Sequence, residues 1–254
     1  AHPLTFANRL NYLLLSVCGR AEWNPVGDQL FEEWQVYEKL LILDYMDHRA
    51  FFARLQAEVQ GRFQRPPAIL DLGCGDLTPI LPMLAQAPVQ RYVGIDESDV
   101  ALAIAASRLD ELSQSSRLIR GDLVAVLDDI SGPFDLVLAS FSLHHLADPA
   151  DKLLTLKHVR RLLTEDGFFA MIDVLCAEAE PRERYLERWI ANAESRYLEL
   201  QPAEKALLFD HVRARDFPLS LNSWRTLGME AGLPRVEVLL EDREGLNRLV
   251  TFAP

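Results

Sequence analysis

The segment Ile69-Leu70-Asp71-Leu72-Gly73-Cys74-Gly75-Asp76 constrains this chain more than any other. A largely apolar run meets two glycines one residue apart, the pattern of a buried strand breaking into a tight turn. A second run, Val93-Gly94-Ile95-Asp96, ends on a carboxylate 21 residues after Gly75. That separation is about one strand–helix–strand step. The two strand ends therefore lie at the carboxyl edge of a sheet, where open α/β sheets bind their ligands.

The neighbouring sequence extends this pattern. Strands are expected near 68–72, 91–96, 117–120, 134–140 and 167–174, with helices near 78–86, 98–112 and 149–163. Such alternation implies a parallel sheet with helices on both faces. Arg235 to Glu241 and Arg243 to Phe252 read as two final strands around a turn near Glu244-Gly245. Upstream, Leu30, Phe31, Trp34, Tyr37, Leu40 and Leu41 recur at helical spacing; one continuous helix and two helices divided at Asp47-His48-Arg49 are equal alternatives. Arg65-Pro66-Pro67 ends this helical region. An insert from about Glu178 to Leu219 is helical in composition and carries Arg182, Arg184, Arg188, Arg196, Arg213 and Arg215 among many glutamates. Inserts this long in a compact domain are usually functional.

Two ligand classes compete for the glycine turn. A dinucleotide site wants a third glycine for close packing and a helix start aimed at pyrophosphate. Here that position is Thr78, followed by Pro79, and Asp76 adds a negative charge that a pyrophosphate resists. S-adenosylmethionine (SAM) carries an ammonium and a sulfonium and no phosphate, so acidic residues such as Asp71 suit it.

On these residues the chain resembles the class I SAM-dependent methyltransferases. Their first motif is a D/E-x-G-x-G turn, and their second is an acidic residue ending strand two. Leu118-Ile119-Arg120-Gly121-Asp122-Leu123 resembles the third motif. The stretch from Phe134 to Leu146 resembles the fourth strand and its loop, and Leu162 to Asp173 the helix end, turn and fifth strand. The match covers roughly residues 66 to 174, with one departure: a glycine common two positions after the second is here Leu77.

The resemblance implies a Rossmann-like, seven-stranded, mostly parallel sheet with helices on both faces and an antiparallel C-terminal strand pair. It implies an N-terminal helical cap over 1–65 and a methyltransferase domain over 66–254, whose helical insert at about 178–219 serves as a lid. The cofactor would be SAM and the product S-adenosyl-L-homocysteine (SAH). The activity would be methyl transfer to an O or N atom of a small molecule. Asp96, with Glu97 beside it, would accept the two ribose hydroxyls; the competing assignment is a cap before Ser98. Asp122 and the Leu123 N–H would face the adenine, or Asp122 would simply cap a turn. Asp71 would orient the turn or meet the methionine amine through water. Gly73, Cys74 and Gly75 form the turn, and Ser140 and Phe141 follow strand four at the ligand edge.

His145 is the candidate general base, since imidazole titrates near neutral pH; the alternative is a packed loop histidine. Tyr37, Tyr185, Arg188, Trp189 and His211 are substrate candidates, with Trp23 and Trp34 also considered. Against them stands the tendency of aromatic stripes to be core and of surface arginines to pair with glutamates. The six histidines show no H-x-x-x-H spacing, so no metal site is expected.

With 49% hydrophobic residues in 254, the chain can bury a full core. A net charge of −12 argues against a nucleic-acid footprint. No apolar run is long enough to span a membrane. The run Leu13-Leu14-Leu15 is too short and lacks the basic flank of a secretory signal. Three cysteines without metal spacing point to a reducing, cytoplasmic setting. The substrate is expected to be a small molecule, anionic if an insert arginine binds it; the oligomeric state stays open. Two rivals remain: a tRNA-modifying or carboxy-SAM-dependent transferase of the same fold, and a catalytically silent SAM-binding regulatory subunit.

Overall fold

The computed structural model describes residues 35–112 and 115–254. The readings at Cys18, Trp23, Trp34 and the Leu13–Leu15 run lie outside the described residues. A helical segment spans 35–42 and a break follows. Then come α1 (His48–Arg62), β1 (Ala68–Leu72), α2 (Leu81–Gln86), β2 (Arg91–Asp96), α3 (Asp99–Leu112), β3 (Ser116–Arg120) and a short α4 (Leu123–Val126). The second half runs β4 (Phe134–Ser140), α5 (Pro149–Leu162), β5 (Leu163–Val174), α6 (Arg182–Arg196), α7 (Pro202–Arg215), α8 (Leu221–Glu230), β6 (Arg235–Glu241) and β7 (Asn247–Ala253).

The seven strands form one sheet in the order β3-β2-β1-β4-β5-β7-β6, with β1 to β5 parallel and β7 antiparallel to both its neighbours. Strands β1 and β4 are buried almost end to end, because a central parallel strand has helices on both faces. The chain leaves β1 towards β2 on one side and returns to β4 on the other. Such a reversal opens a crevice at the carboxyl ends of the strands.

Three apolar cores hold these layers. One face of the sheet packs on α5 and α8 through Leu156, Val159 and Trp224. The other packs on α1 through Phe51, Phe52, Leu55 and Val59. The expected cap over 1–65 is thus divided in its described part: α1 shares the sheet's core, and the segment 35–42 lies over the crevice. The third core joins Leu40 of that segment to Val174 of β5, to Tyr185 and Trp189 of α6 and to Phe209 and Val212 of α7.

Two boundaries differ from expectation. Strand β5 begins at Leu163 rather than near 167, because a register shift against β4 lets Leu163 pair with Phe134 across an irregularity. Helix α2 begins at Leu81 rather than 78, because Asp76 accepts hydrogen bonds from the Thr78 amide (2.9 Å) and hydroxyl (2.7 Å) and holds that stretch as a turn. No helix among the described residues is long and apolar enough to cross a membrane.

Candidate functional site

A cavity of about 620 Å³ opens over the carboxyl ends of β1, β2 and β4. Its floor begins at the glycine turn. The Gly73 and Cys74 amides both donate to the Ile95 carbonyl (2.8 and 2.9 Å), which ties the end of β1 to β2. Gly73 adopts φ +74°, and a Cβ there would stand 2.6 Å from the Ser142 side chain. Only glycine fits such a position. Gly75 also has positive φ, and its open side faces the cavity. The Ser142 hydroxyl donates to the Leu72 carbonyl (2.7 Å), which fixes the loop after β4 beside the turn.

Leu77 stands where the class I methyltransferases that the sequence resembles often have glycine, and its backbone is left-handed at φ +68°. The turn keeps the path of a glycine turn, and full burial of the Leu77 side chain offsets the strain. Phe141, at the end of β4, is also left-handed (φ +50°); it lines the cavity and packs on the His48 ring at 4.8 Å.

The acidic end of the cavity is formed by Asp96, Glu97 and Asp122. Asp96 Oδ2 accepts the Gly75 amide (2.8 Å) and Oδ1 the Ser98 amide (2.9 Å). Asp96 thus pins the two turns and lines the cavity, and each oxygen keeps a second lone pair. The helix cap itself is Ser98, whose hydroxyl accepts the Ala101 amide (3.2 Å). Asp122 caps α4 by accepting the Ala125 amide (2.9 Å). It lines the cavity together with Leu123.

Asp71 and Cys74 do not line the cavity. Asp71 is buried beneath the turn, where Oδ2 accepts the Tyr92 hydroxyl (2.7 Å) and Oδ1 has no partner. Burial pushes its pKa up to about 7; the Tyr92 hydrogen bond opposes this and the Asp96 charge adds to it. The Cys74 thiol is pushed up by burial and by Asp71 and Asp96, so it stays an uncharged packing group.

The opposite end of the cavity is basic. His145, His211 and Arg215 line it, beside Leu207 and Leu208 of α7. His145 Nδ1 lies 3.1 Å from the Arg215 carbonyl. A carbonyl only accepts, so Nδ1 carries the proton and Nε2 is the ring's acceptor. Loss of water around the ring, then the neighbouring His144 and His211, hold the His145 pKa below the usual imidazole value. A base held that low accepts a hydrogen bond better than it removes a proton.

His144 is buried against the His145 ring, with the ring centroids 3.9 Å apart. Nδ1 meets Asp173 at 2.5 Å and Nε2 faces Asp216 at 3.6 Å. Burial opposes a charge on this ring, but Asp173 and Asp216 outweigh it and raise the pKa. His144, His145 and Asp216 bring ligand-type atoms within 4.8 Å of one another, a grouping their sequence positions do not reveal.

Tyr37 and Leu40 of the segment 35–42 cover the cavity from above. Burial and the carboxylates of Asp76, Asp96 and Asp71 raise the Tyr37 pKa, so its hydroxyl keeps its proton. Lys39 pairs with Glu204 at the start of α7 (2.8 Å), joining the two cover elements. Three substrate candidates fall elsewhere. Tyr185 and Trp189 are buried in the third core, with the Tyr185 hydroxyl 3.4 Å from Asp216. Arg188 is held by both carboxylate oxygens of Glu180 (2.9 and 2.8 Å). Tyr185 and Trp189, four residues apart, form the buried stripe of α6, the core alternative weighed against a substrate role. Sequence reasoning singled out Arg215 only as one of six insert arginines; its place at the end of α7 is the feature that brings it to the cavity.

The donor set fits SAM: carboxylates converge on the turn, Asp71 keeps an orphaned buried oxygen, and the Arg108 guanidinium at the turn is taken up by Asp76 (2.8 Å) and Thr78 (2.6 Å). A family model described as a methyltransferase domain matches residues 70–169. A protein described as "Probable methyltransferase ltbC" from Aspergillus luteorubrus is 29% identical over 146 residues, covering 55% of this chain and 51% of that one. The chain thus spans about half the length of that relative. Among solved structures, a SAM-dependent methyltransferase from Clostridium acetobutylicum superposes with a TM-score of 0.59 at 13% identity, covering 89% of this chain and all of that one. The magnesium protoporphyrin IX methyltransferase of Synechocystis, with bound SAH, gives 0.57 at 13% identity over 98% and 95% of the two chains. The fold is therefore that of the class I methyltransferases. Residues 70–169 thus match a methyltransferase domain, and the fold around them is shared with these SAM-dependent neighbours.

Proposed function

We propose that this chain is a SAM-dependent methyltransferase acting on an O or N atom of a small molecule. The observation that carries this reading is the polarised cavity. Asp96, Glu97 and Asp122 stand at one end, and apolar side chains with His145 at the other. SAM, when bound, would supply an activated methyl: the acceptor's lone pair would form the new C–O or C–N bond as the S–CH₃ bond breaks with its electron pair left on sulfur, and the acceptor's proton would pass to water.

The chain's own residues have three tasks. Asp96 and the Gly73–Gly75 turn hold the nucleoside end. Tyr37, Leu40, Leu207 and Leu208 exclude water. His145 Nε2 accepts a hydrogen bond from the acceptor's O–H or N–H and orients its lone pair. Alignment of this kind supplies up to roughly 7–11 kcal/mol without a dedicated nucleophile. The size of the cavity supports a small acceptor, since pockets for such ligands span roughly 300–1,000 Å³. The helical cover formed by 35–42 and α7 supports the same reading. A cytoplasmic setting remains part of this proposal.

Calorimetric titration of stripped protein with SAM and SAH tests the cofactor. A labelled-methyl screen of metabolites follows. Micromolar binding of both ligands and label transfer to a small metabolite are expected. Absence of binding by a folded sample overturns the proposal.

A further inference from the structure

The insert contains six arginines, and the structure sorts them. Arg184 pairs with Glu187 at 2.6 Å, Arg188 with Glu180 at 2.8 Å, Arg196 with Glu244 at 2.6 Å and Arg213 with Asp210 at 3.0 Å. Arg182 donates to the carbonyls of Asp216 and Arg213 (2.6 and 2.5 Å) and stacks over Phe217. Arg215 is the exception. Among the described residues its guanidinium has no ion-pair or hydrogen-bond partner, although the chain carries 38 acidic residues against 26 Lys and Arg. It is also the one insert arginine that lines the cavity.

Its position follows from α7. Phe209 and Val212 turn one face of that helix into the third core. Leu207, Leu208, His211 and Arg215 then fall on the face towards the cavity. His211 and Arg215 are one turn apart on that face, and the His145 ring lies between α7 and β4, 5.4 Å from the His211 ring. The acidic residues stand at the ends of β2 and β3. The strand nearest the basic end is β4, two places from β2 in the sheet, or about 10 Å. A cationic ligand and an anionic one can therefore occupy the same cavity without competing for the same charges.

We propose that the α7 end of the cavity is an oxyanion subsite, in which Arg215, with His211 one turn away, binds a carboxylate or phosphate carried by the methyl acceptor. Arginine suits this role because its planar fork matches both groups with two parallel hydrogen bonds. The acceptor is thus a small molecule with an anionic group at one end and a nucleophilic hydroxyl or amine within reach of His145. This assignment rests on the methyltransferase reading for what happens to that acceptor, but the subsite is tested by binding alone.

The experiment is calorimetric titration of SAH-saturated protein with hydroxy- and aminobenzoates, with the corresponding phenyl phosphates, and with the neutral benzamides of the same shape. The wild type is expected to prefer at least one anionic series over its amides by tenfold or more, and the preferred series distinguishes carboxylate from phosphate. Arg215→Gln should abolish that preference, Arg215→Lys should retain part of it, and His211→Asn should weaken it a few-fold. SAH affinity should be unchanged in all three. Equal affinity for anions and amides, silence across every series, or a preference that survives in Arg215→Gln overturns the subsite. Failure of SAH itself to bind is a different result and counts against the methyltransferase reading.

Discussion

The Gly75 amide donates to Asp96 Oδ2 at 2.8 Å, across 21 residues of chain. The turn after β1 and the carboxylate ending β2 are thus one unit. Asp96 positions the glycine backbone while lining the cavity, so its removal affects shape and charge together.

Asp96→Ala should weaken SAH binding at least tenfold, because hydrogen bonds to a charged group are worth about 1.5–3 kcal/mol each. It should also lower the melting temperature by several degrees, since the Gly75 and Ser98 amides lose their acceptor. Asp96→Asn, which keeps one carbonyl oxygen, should fall between. Titration calorimetry and thermal melts on the same samples check this, and wild-type affinity in Asp96→Ala removes Asp96 from the site.

Asp71 makes stability depend on pH. Its folded pKa is near 7, while the unfolded carboxyl ionises near 4. Between those values the folded chain holds a proton that the unfolded chain has lost. The contribution of this group is therefore greatest below pH 4 and declines as pH rises towards 7, by up to about 1.4 kcal/mol per pH unit. Asp71→Asn should remove that decline. Urea unfolding of the ligand-free protein from pH 5 to 8 measures it, and parallel curves for the two proteins contradict it.

Much of this was legible in the sequence because the signals are local. The glycine pair, the acidic strand ends and the alternating apolar runs each report their own element, and the five parallel strands fall at the expected places except that β5 starts at Leu163. The site's other half was not legible. His144 and Asp173 meet across 29 residues, and adjacent His144 and His145 lie ring against ring (3.9 Å) on a short 3₁₀ turn after β4, an arrangement their sequence positions do not reveal. An aromatic at i and i+4 looks the same whether its stripe faces a core, as at Tyr185 and Trp189, or a cavity. Six arginines among glutamates look alike until packing of α7 chooses which one is left without a partner among the described residues.

His145 should leave little mark on the pH profile. Its pKa is held below the usual value, so any acid limb of kcat/KM from this ring lies below pH 6.5 rather than at it. His145→Gln should reduce kcat by about tenfold or less, because it removes an orienting hydrogen bond and not an essential base. A limb at pH 6.5 that disappears in the variant would restore the general-base role.

Tyr185 separates core from substrate contact. Tyr185→Phe should leave kcat/KM within about twofold and cost about 1 kcal/mol, the hydrogen bond to Asp216 being a long 3.4 Å. Tyr185→Ala should cost about 3–5 kcal/mol, as expected for a buried aromatic. A large rise in KM in Tyr185→Phe at unchanged stability would bring the residue back to the site.

Leu77 sets two effects against each other. Its left-handed backbone costs about 1–2 kcal/mol, a strain that glycine would relieve. Its side chain is fully buried among Ile80, Met83 and Leu84, and emptying such a position costs about 2–5 kcal/mol. Burial is the larger quantity, so Leu77→Gly should destabilise the protein by about 1–3 kcal/mol. The turn's backbone path suits glycine, so SAH affinity should stay within a few-fold of wild type. Chemical denaturation and calorimetry on the same variant separate the two quantities. A more stable Leu77→Gly protein would mean that strain in the turn outweighs the packing beneath it.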